Sequence, residues 1–413
     1  MIGSWFKYKL SEIGTIVGGA TPSTNVEAYY NGNIPWLTPK DLSDFQYRYI
    51  EKGKRNITKS GLNSCSAQFL PAGSVLFSSR APIGYIAIAK NPIVTNQGFK
   101  SIIPDKEKVD SLFLYYLLKY KKNDIEALGS GTTFKEVSGF TMKNVEVFIP
   151  SLKVQQQIAG VLGALDDKIE LNRRINENLE QQAQALFKSW FVDFEPFKDG
   201  KFVDSELGMI PEGWNVKKLG ELCDSISVTH PCKEGQLIFL NTGDIENGFV
   251  LNHKYMNIKD MPGQAKKSIQ ENDILYSEIR PINRHFAFVN FPAQEYIVST
   301  KLMVLRANDN ESSIRLYQYL TSEDVINELQ HEAESRSGTF PQIRFENIKS
   351  LKILIGSDDV EKKYTKYIGN IYKMIFQYRK EIMRLAQLRD TLLPRLMSGE
   401  LAITDVDDRS IFQ

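Results

Sequence analysis

Basic, aromatic and amide side chains alternate between Gln46 and Lys59, in a stretch rich in turn-forming residues. Arginine can read guanine, asparagine and glutamine can read adenine, and aromatic rings pack on thymine methyl groups or unstacked bases. Lysine and arginine also contact phosphates. The pattern therefore predicts a surface that binds nucleic acid, although an ordinary solvated loop explains this stretch equally well when it is taken alone.

Further cations at the tips of predicted loops extend this surface in both halves of the chain. In the first half, the candidate DNA-binding residues are Lys40, Arg48, Lys54, Arg55, Arg80 and Lys135. In the second half, they are Lys254, Lys266, Arg280, Arg284 and Arg344. The two sets occupy corresponding regions but differ in residue identity, which suggests two related binding surfaces that read different things.

Motifs for catalysis and metal binding are missing from the sequence. It contains no Gly-x-Gly-x-x-Gly, no Gly-x-x-x-x-Gly-Lys-Ser/Thr and no Gly-x-Ser-x-Gly. Asn91-Pro-Ile-Val94 lacks the second proline and the aromatic residue of the adenine methyltransferase signature. Cys223, His230 and Cys232 do not follow a zinc-binding spacing. We therefore expect no catalytic residue, no metal site and no cofactor on this chain.

Composition limits the class of protein. The chain has 413 residues, of which 42% are hydrophobic and 11% aromatic, so general disorder is excluded. Its longest apolar run, Leu112–Leu118, is too short to cross a bilayer, and three cysteines argue against a disulfide framework. A soluble cytoplasmic protein is expected. The net charge is +1 overall but +6 over residues 1–150, which excludes only binding by bulk positive charge.

An internal repeat with a period of about 206 residues organises the chain. Its matching segments keep their order and nearly their spacing. The pairs are Trp5–Glu12 with Trp214–Glu221, 34–42 with 237–245, 75–83 with 274–282, 130–132 with 337–339, and 145–149 with 351–355. Chance would not keep five such pairs in order, so we infer a duplication.

Each repeat begins with a segment of about 145 residues that is dominated by predicted strands. Short β-branched and aromatic runs such as Ser74–Ser78, Gly84–Ala89 and Val145–Ile149 are separated by glycine and proline. Helical patterns follow at Asp110–Tyr120 and Ser313–Leu329. The pattern predicts a mixed α/β globule in each repeat.

A long helix ends each repeat. Apolar residues recur at alternating steps of four and three, in the same heptad register in both copies, which is typical of a coiled coil. The main seam residues are Ile158, Leu162, Leu165, Ile169, Leu179, Leu186, Ile368, Ile371, Ile375, Ile382, Leu385 and Leu392. Asn172 and Asn176 are polar members that can fix the register.

Chain connectivity makes these helices antiparallel if their seams pack together, and two similar globules would then be held apart by a rod. The predicted segments are residues 1–150 (first globule), 151–192 (first helix), 193–213 (connecting loop), 214–356 (second globule), 357–399 (second helix) and 400–413 (tail). Two alternatives stay open: each helix packs on its own globule, or the helices mediate homodimerisation.

Several segments, taken in their order along the chain and together with the repeat, make the chain resemble the DNA specificity subunit of type I restriction-modification systems. They are Ile34-Pro-Trp-Leu-Thr-Pro-Lys-Asp41-Leu, Arg55-Asn-Ile-Thr-Lys-Ser-Gly-Leu62, Leu70–Leu76, Gly129-Ser-Gly-Thr-Thr-Phe134, Pro150–Ile158, Leu186–Phe197, Gly208–Trp214 and Leu392–Leu401. The second repeat departs from the pattern, because Asn241-Thr-Gly replaces Thr38-Pro-Lys.

The resemblance implies an α+β fold with two tandem α/β target recognition domains, separated by an antiparallel two-helix coiled coil in an internal pseudo-two-fold repeat. Each domain would read one half of an asymmetric, bipartite site in double-stranded DNA. The coiled coil would set the gap and dock two modification subunits. Those partners would bind S-adenosylmethionine and methylate adenine N6, and restriction/translocase subunits would use ATP and Mg²⁺. The resemblance also implies a role in host defence in the prokaryotic cytoplasm.

Two other functions compete with this interpretation. The chain could be a coiled-coil scaffold, or a homodimeric nucleic-acid-binding protein without a sequence-specific role. The recognition part of a single-chain restriction methylase is disfavoured, because these 413 residues contain no catalytic segment.

Overall fold

Two units, each with its own sheets and helices, make up the chain. In the computed structural model, the described residues are 5–131, 135–309, 312–336 and 340–403. Unit 1 comprises Met1–Asn172 with Glu381–Gln413, and unit 2 comprises Arg173–Lys380. Thr132–Phe134 and Ser337–Thr339, which belong to matched motifs of the repeat, lie outside the described residues, as do residues 404–413 of the predicted tail. The domain boundaries drawn from the sequence stay predictions.

Three sheets form the β structure of unit 1. In spatial order, the strands of a five-stranded sheet are Gly14–Gly18, Lys100–Pro104, Val75–Phe77, Ile86–Ala89 and Tyr49–Ile50. Those of a three-stranded sheet are Arg55–Ile57, Tyr30–Leu37 and Val94–Thr95, and Phe6–Lys9 pairs with Glu146–Ile149. The short helices of this unit are Leu10–Ile13, Glu27–Tyr29, Pro39–Leu42, Lys59–Asn63, Ser111–Tyr120, Lys122–Ala127 and Gly139–Lys143.

Unit 2 repeats this arrangement with additions. One four-stranded sheet has the order Cys223–Ile226, Leu302–Ala307, Ile274–Ser277 and Phe286–Phe288. The other has the order Tyr255–Asn257, Gln236–Leu240, Tyr296–Ser299 and Ala265–Ser268. Two-stranded pairs join Asn215–Lys218 to Lys352–Ile355, Phe202–Ser205 to Gly208–Pro211, and Ile245–Glu246 to Phe249–Val250. The helices are Glu195–Phe197, Leu219–Glu221, Thr242–Asp244, Ile258–Asp260, Pro281–Asn283, Ser313–Leu320, Glu323–Arg336 and Phe345–Ser350.

Strand pairing confirms the duplication that the sequence predicts. Tyr30–Leu37 pairs in parallel with Val94–Thr95, and its counterpart Gln236–Leu240 pairs in parallel with Tyr296–Ser299. In unit 1, the strand Gly14–Gly18 pairs antiparallel with Lys100–Pro104. In unit 2, the corresponding strand Cys223–Ile226 pairs antiparallel with Leu302–Ala307. The fold class is therefore confirmed as mixed α and β structure in a tandem repeat.

The helix Ser111–Tyr120 shows why these elements form where they do. The Asp110 carboxylate caps its first turn, because Oδ1 accepts the backbone N–H groups of Leu112 and Phe113 at 2.9 Å each. Phe113–Leu118 are all buried, so the helix is covered on every side, as its nearly continuous apolar run requires. In unit 2, the predicted helix over 313–329 is two helices, because the Thr321 hydroxyl bonds back to Tyr317 O at the end of the first one.

The two long helices are Leu152–Phe191 and Asp358–Met397. In unit 1, a cluster made only of helix residues contains Leu165, Ile169, Ile382 and Leu385, with Leu392 packed at its side. The two helices run antiparallel here, because Asp166 pairs with Arg389 at 2.6 Å, whereas Asn172, later on the first helix, contacts Glu381, earlier on the second. Asn172 is buried, and its Nδ2 donates to Glu381 Oε2 at 2.8 Å.

Towards their ends, the same helices enter the globular cores, so the alternative in which helices pack on globules holds in part. Ile158 and Leu162 share the core of unit 1 with Leu393, Leu396 and Met397. The seam members in the core of unit 2 are Leu179, Ile368 and Ile375, with Leu186 and Ile371 packed against it. In unit 2, Glu180 pairs with Arg379 at 2.8 Å and Trp190 contacts Tyr364, which is again antiparallel.

Residues 193–213, predicted as a loop, carry regular structure. Phe202–Ser205 and Gly208–Pro211 form an antiparallel hairpin. Gly208 has φ +93°, which permits the tight reversal between these strands. Among the described residues, no helix is both long enough and apolar enough to cross a membrane.

Candidate DNA interface

Asp41 organises the first group of predicted DNA-binding residues in unit 1. The Thr38 N–H and hydroxyl both donate to Asp41 Oδ2 at 2.7 Å, and the Lys54 N–H donates to Oδ1 at 2.8 Å. One carboxylate thus joins the turn that carries Lys40 to the loop that carries Lys54. Arg55 follows at the start of its strand, opposite Trp36. Lys40, Lys54 and Arg55 are all exposed.

A second group adjoins the first through Gly98. A Cβ at Gly98 would lie 2.7 Å from Pro39 Cγ, so only glycine fits there, and Gly98 O accepts the Ser79 N–H at 2.7 Å. Arg80 then pairs with Glu136, whose Oε2 accepts from Nε at 2.9 Å. Exposed Lys135 directly precedes Glu136. The loops around 39–41, 54–55, 79–80, 96–98 and 135–136 therefore form one continuous rim on unit 1.

Arg48 lies elsewhere, and its predicted DNA-binding role is corrected. Its side chain is only 4% exposed. Nε donates to Glu170 Oε1 at 2.9 Å, Nη1 donates to Gly163 O at 3.3 Å, and Nη2 pairs with Asp167. Burial acts to lower the pKa of Arg48, but hydrogen bonds with Glu170 and Asp167 outweigh burial and raise that pKa. The guanidinium thus fastens strand Tyr49–Ile50 to the first long helix within unit 1.

A second buried polar network lies on the same stretch of the first long helix. The Tyr116 hydroxyl donates to Asp166 Oδ2 at 2.6 Å, and Arg389 Nη1 donates to Asp166 Oδ1 at 2.6 Å. Burial and the charge of Asp166 raise the pKa of the Tyr116 hydroxyl, so Tyr116 stays a donor. Sequence reasoning missed this network. Its only local signal is the acidic pair Asp166-Asp167 beside the apolar seam.

In unit 2, an equivalent turn is built around Asp244, whose Oδ2 accepts the Asn241 N–H at 2.7 Å. In the same unit, backbone contacts bring the segments that carry Arg280 and Arg344 next to each other. Ile279 and Gln342 form an isolated antiparallel bridge, matching the bridge between Arg80 and Glu136 in unit 1. The Arg280 N–H donates to Pro341 O at 3.1 Å, and Arg344 precedes the helix Phe345–Ser350.

The remaining candidates in unit 2 do not converge. Lys254 and Lys266 are exposed but belong to opposite edges of the same four-stranded sheet. Arg284, in a left-handed conformation with φ +55°, pairs with Glu323. It lines a cavity of about 320 Å³ beside Tyr317 and Arg379.

Two exposed phenylalanines stand among these cations, and sequence reasoning missed their exposure. Phe140 is 79% exposed and Phe340 is 67% exposed. Gly139, beside Phe140, lies next to the Lys100 side chain, which pairs with Glu136. Phe340 directly follows the second copy of the Ser-Gly-Thr motif, and this repeated motif could have identified it. Exposed rings beside cations suit contacts with bases.

Within the described ranges, no cluster of three or more His, Cys, Asp or Glu side chains could hold a metal ion. Cys223 is buried in the core of unit 2, whereas the exposed Cys232 donates its N–H to His230 Nδ1 at 3.2 Å. These two cysteines therefore occupy different environments.

The duplicated domain is also found by comparison with known proteins. The sequence model of the family described as the type I restriction modification DNA specificity domain matches residues 3–181 and 211–384. The chain belongs to this family. The family predicted from the sequence is thus confirmed, and each match includes one globule together with part of its long helix.

Relatives of this type I specificity chain cover it along its length. A specificity subunit of the type I restriction enzyme MjaIX from Methanocaldococcus jannaschii is 36% identical over 97% of this chain and 94% of its own length. The specificity subunit of the HindI enzyme from Haemophilus influenzae is 41% identical over 36% of this chain and 33% of its own length. A crystal structure of an S subunit from M. genitalium shares the fold, with a TM-score of 0.56 at 18% identity and 96% coverage of both chains.

Proposed function

We propose that this type I specificity chain reads an asymmetric bipartite DNA target, with each unit contacting one half. One observation carries the proposal: two copies of a DNA specificity domain present different side chains at corresponding positions. Arg80 itself forms the bridge to Glu136 in unit 1, whereas Ile279 occupies the matching place in the bridge to Gln342 in unit 2. Unlike side chains on like scaffolds favour unlike half-sites.

The rim of unit 1 contains groups suited both to positioning the chain on DNA and to reading its bases. Lys40, Lys54 and Lys135 would contact phosphates, and Arg55 and Arg80 would offer paired donors to guanine edges. Arg80 Nε is held by Glu136 at 2.9 Å, so the two terminal nitrogens are the ones directed to a base. The near-neutral net charge of +1 supports binding through individual contacts at two linked half-sites.

We assign no catalysis to this chain within the proposed complex. Two modification subunits would dock on the long helices, bind S-adenosylmethionine and methylate adenine N6 after the base leaves the stack. Restriction and translocase subunits would supply ATP- and Mg²⁺-dependent cleavage. The support for this assembly is the family itself.

The test uses the full chain in complex with its modification subunit. Methylated adenines are mapped by sequencing, and footprinting locates the protected half-sites. Arg55→Ala and Arg80→Ala should each weaken or relax one half-site by about 1–3 kcal/mol, and Lys106→Ala, an exposed lysine off the rim, should leave both unchanged.

Two results would contradict the proposal. If the complex protects no bipartite site, the scaffold or homodimer function gains support, and light scattering on the chain alone would then reveal self-association. If Arg55→Ala and Arg80→Ala weaken both half-sites equally, the rim of unit 1 does not read one half-site.

A further inference from the structure

Two equivalent glycines on the long helices have different surroundings. Gly163 of the first helix and Gly369 of the second are 206 residues apart, which is the period of the repeat. A Cβ at Gly163 would meet Leu112 Cδ2 at 3.1 Å and Arg48 Nη1 at 3.5 Å, whereas a Cβ at Gly369 would meet nothing within 4 Å. The position that Arg48 occupies in unit 1 is therefore open in unit 2.

The open position in unit 2 is a groove of about 710 Å³ along the second long helix. Its floor is aromatic and apolar. The Phe288 and Phe376 rings stack with centroids 5.6 Å apart and planes 4° from parallel, beside Tyr372 and Ile314. Gly369 leaves the helix side of this floor uncovered.

Four lysines form the rim of the groove on the helix side. Lys362, Lys366, Lys373 and Lys380 are exposed, and all four line the groove. Their spacing of four, seven and seven residues places them on one face of the helix. None of them forms an ion pair with another described residue; Glu271 is the acidic residue among those that line the groove. We call this feature the lysine groove.

The first repeat shows what such a groove can hold. There, the helix face carries Asp167 and Glu170, and another segment of the same chain fills the space by inserting the oppositely charged Arg48 side chain. The Arg48 backbone N–H also donates to Glu170 Oε1 at 2.9 Å. At the equivalent positions, the second helix carries Lys373 and Phe376. The charge is reversed, and an apolar ring replaces the second carboxylate.

We propose that the lysine groove binds an acidic segment of a partner polypeptide, with carboxylates on the lysines and an apolar side chain on the Phe288–Phe376 floor. Charge complementarity and the precedent in unit 1 select this occupant. A DNA backbone could contact the rim lysines, but it would leave the aromatic floor uncovered. The proposal concerns a surface separate from the cations assigned to DNA, so it stands independently of which bases the chain reads.

The test measures binding of a fluorescein-labelled helical peptide of about 12 residues, or about three turns, by anisotropy on the full chain. The peptide carries glutamates on one face and a phenylalanine between them. Lys366→Glu/Lys373→Glu should weaken binding at least about tenfold, because like charges then face each other. Lys363→Glu, an exposed lysine of the same helix outside the groove, is the matched control and should bind as the unchanged chain does.

Two further measurements make the result decisive. A peptide with lysines in place of the glutamates should bind the charge-reversed variant better than the unchanged chain. Gly369→Phe should block the acidic peptide without altering charge, and thermal unfolding should show that the variant is folded, because space is open there. Equal binding to all variants would overturn the proposal. So would duplex DNA that displaces the peptide and loses affinity on Lys366→Glu/Lys373→Glu, since the groove would then be a nucleic-acid surface.

Discussion

Replacing Arg48 with methionine should destabilise unit 1 more than any exposed cation of the rim would. The change keeps most of the side-chain volume but removes the guanidinium from Glu170, whose side chain is only 10% exposed. Breaking a buried ion pair from one side costs about 3–5 kcal/mol. The lower end applies here, because the backbone N–H of residue 48 still donates to Glu170 Oε1. Asp167 is 74% exposed and adds less than about 1 kcal/mol.

A double-mutant cycle isolates this interaction. Arg48→Met and Glu170→Gln are measured alone and together, and the double variant should recover about 1.5–3 kcal/mol relative to the sum of the single changes. Lys52→Met, an exposed cation just beyond the strand Tyr49–Ile50, is the control and should change the stability of unit 1 by less than about 0.5 kcal/mol.

Hydrogen exchange of the backbone amides at increasing urea is the appropriate assay, because the chain has two units and a single unfolding midpoint would mix them. Helix Ser111–Tyr120 reports unit 1, and helix Ser313–Leu320 of unit 2 is the internal reference. The reasoning that this ion pair holds unit 1 together would be refuted if the effects of the two single changes on the free energy of unfolding simply add in the double variant. It would also be refuted if Arg48→Met lowers the free energy of unfolding by less than about 0.5 kcal/mol.

Two other changes to the chain and one labelling experiment have defined outcomes. Inserting one heptad into each long helix, at the junctions 172/173 and 380/381, adds about 10 Å of helix. If the helices set the gap of the bipartite site, methylation mapping should show a gap longer by about 3 base pairs. An unchanged gap would contradict the idea that helix length determines the distance between the half-sites. Asn176→Leu should raise the stability of unit 2 by about 1 kcal/mol in thermal unfolding, because Asn176 is buried and its amide atoms have no hydrogen-bond partner among the described residues; a loss of stability would show that the amide is satisfied. Burial raises the pKa of the Cys223 thiol to about 12, so at pH 8 iodoacetamide should alkylate exposed Cys232 and spare Cys223, whose thiolate fraction is about 10⁻⁴. Because this folded pKa is raised, the stabilisation by the neutral Cys223 thiol is complete at low pH and is lost as the pH rises towards 12; equal labelling of both cysteines would contradict this burial.

Features encoded by short-range periodicity could be predicted from the sequence. The seam residues recur every three or four positions, and the predicted helices over 151–192 and 357–399 differ from Leu152–Phe191 and Asp358–Met397 by only one or two residues at each end. The hairpin Phe202–Ser205/Gly208–Pro211 was missed, because its proline and glycines favour an irregular loop and its turn, Glu206-Leu207, is not a typical hairpin dipeptide.

Burial of charge could not be predicted, because it depends on partners far along the chain. Arg48 stands among exposed lysines in sequence, yet its partner Glu170 is 122 residues away. Arg315 of unit 2 is equally buried, with its Cζ 4.0 Å from the Phe191 ring centroid. It is the third residue of its helix, Ser313–Leu320, and Phe113 is the third residue of the helix Ser111–Tyr120 in the first repeat. Burial lowers the pKa of Arg315. Nothing within several residues of either arginine distinguishes it from a solvated one.

Unit 1 is built from two separate segments of the chain, and this affects the order in which the two units can fold during synthesis. Its core needs Leu393, Leu396 and Met397 as well as the first 172 residues, and Gly399 lies against the Trp5 indole. Unit 2 is one uninterrupted stretch, Arg173–Lys380. At about 5–20 residues per second, a ribosome needs roughly ten to fifty seconds to add the missing part of unit 1. Unit 2 can therefore finish folding first, while the first 172 residues wait with an incomplete core that chaperones would be expected to cover.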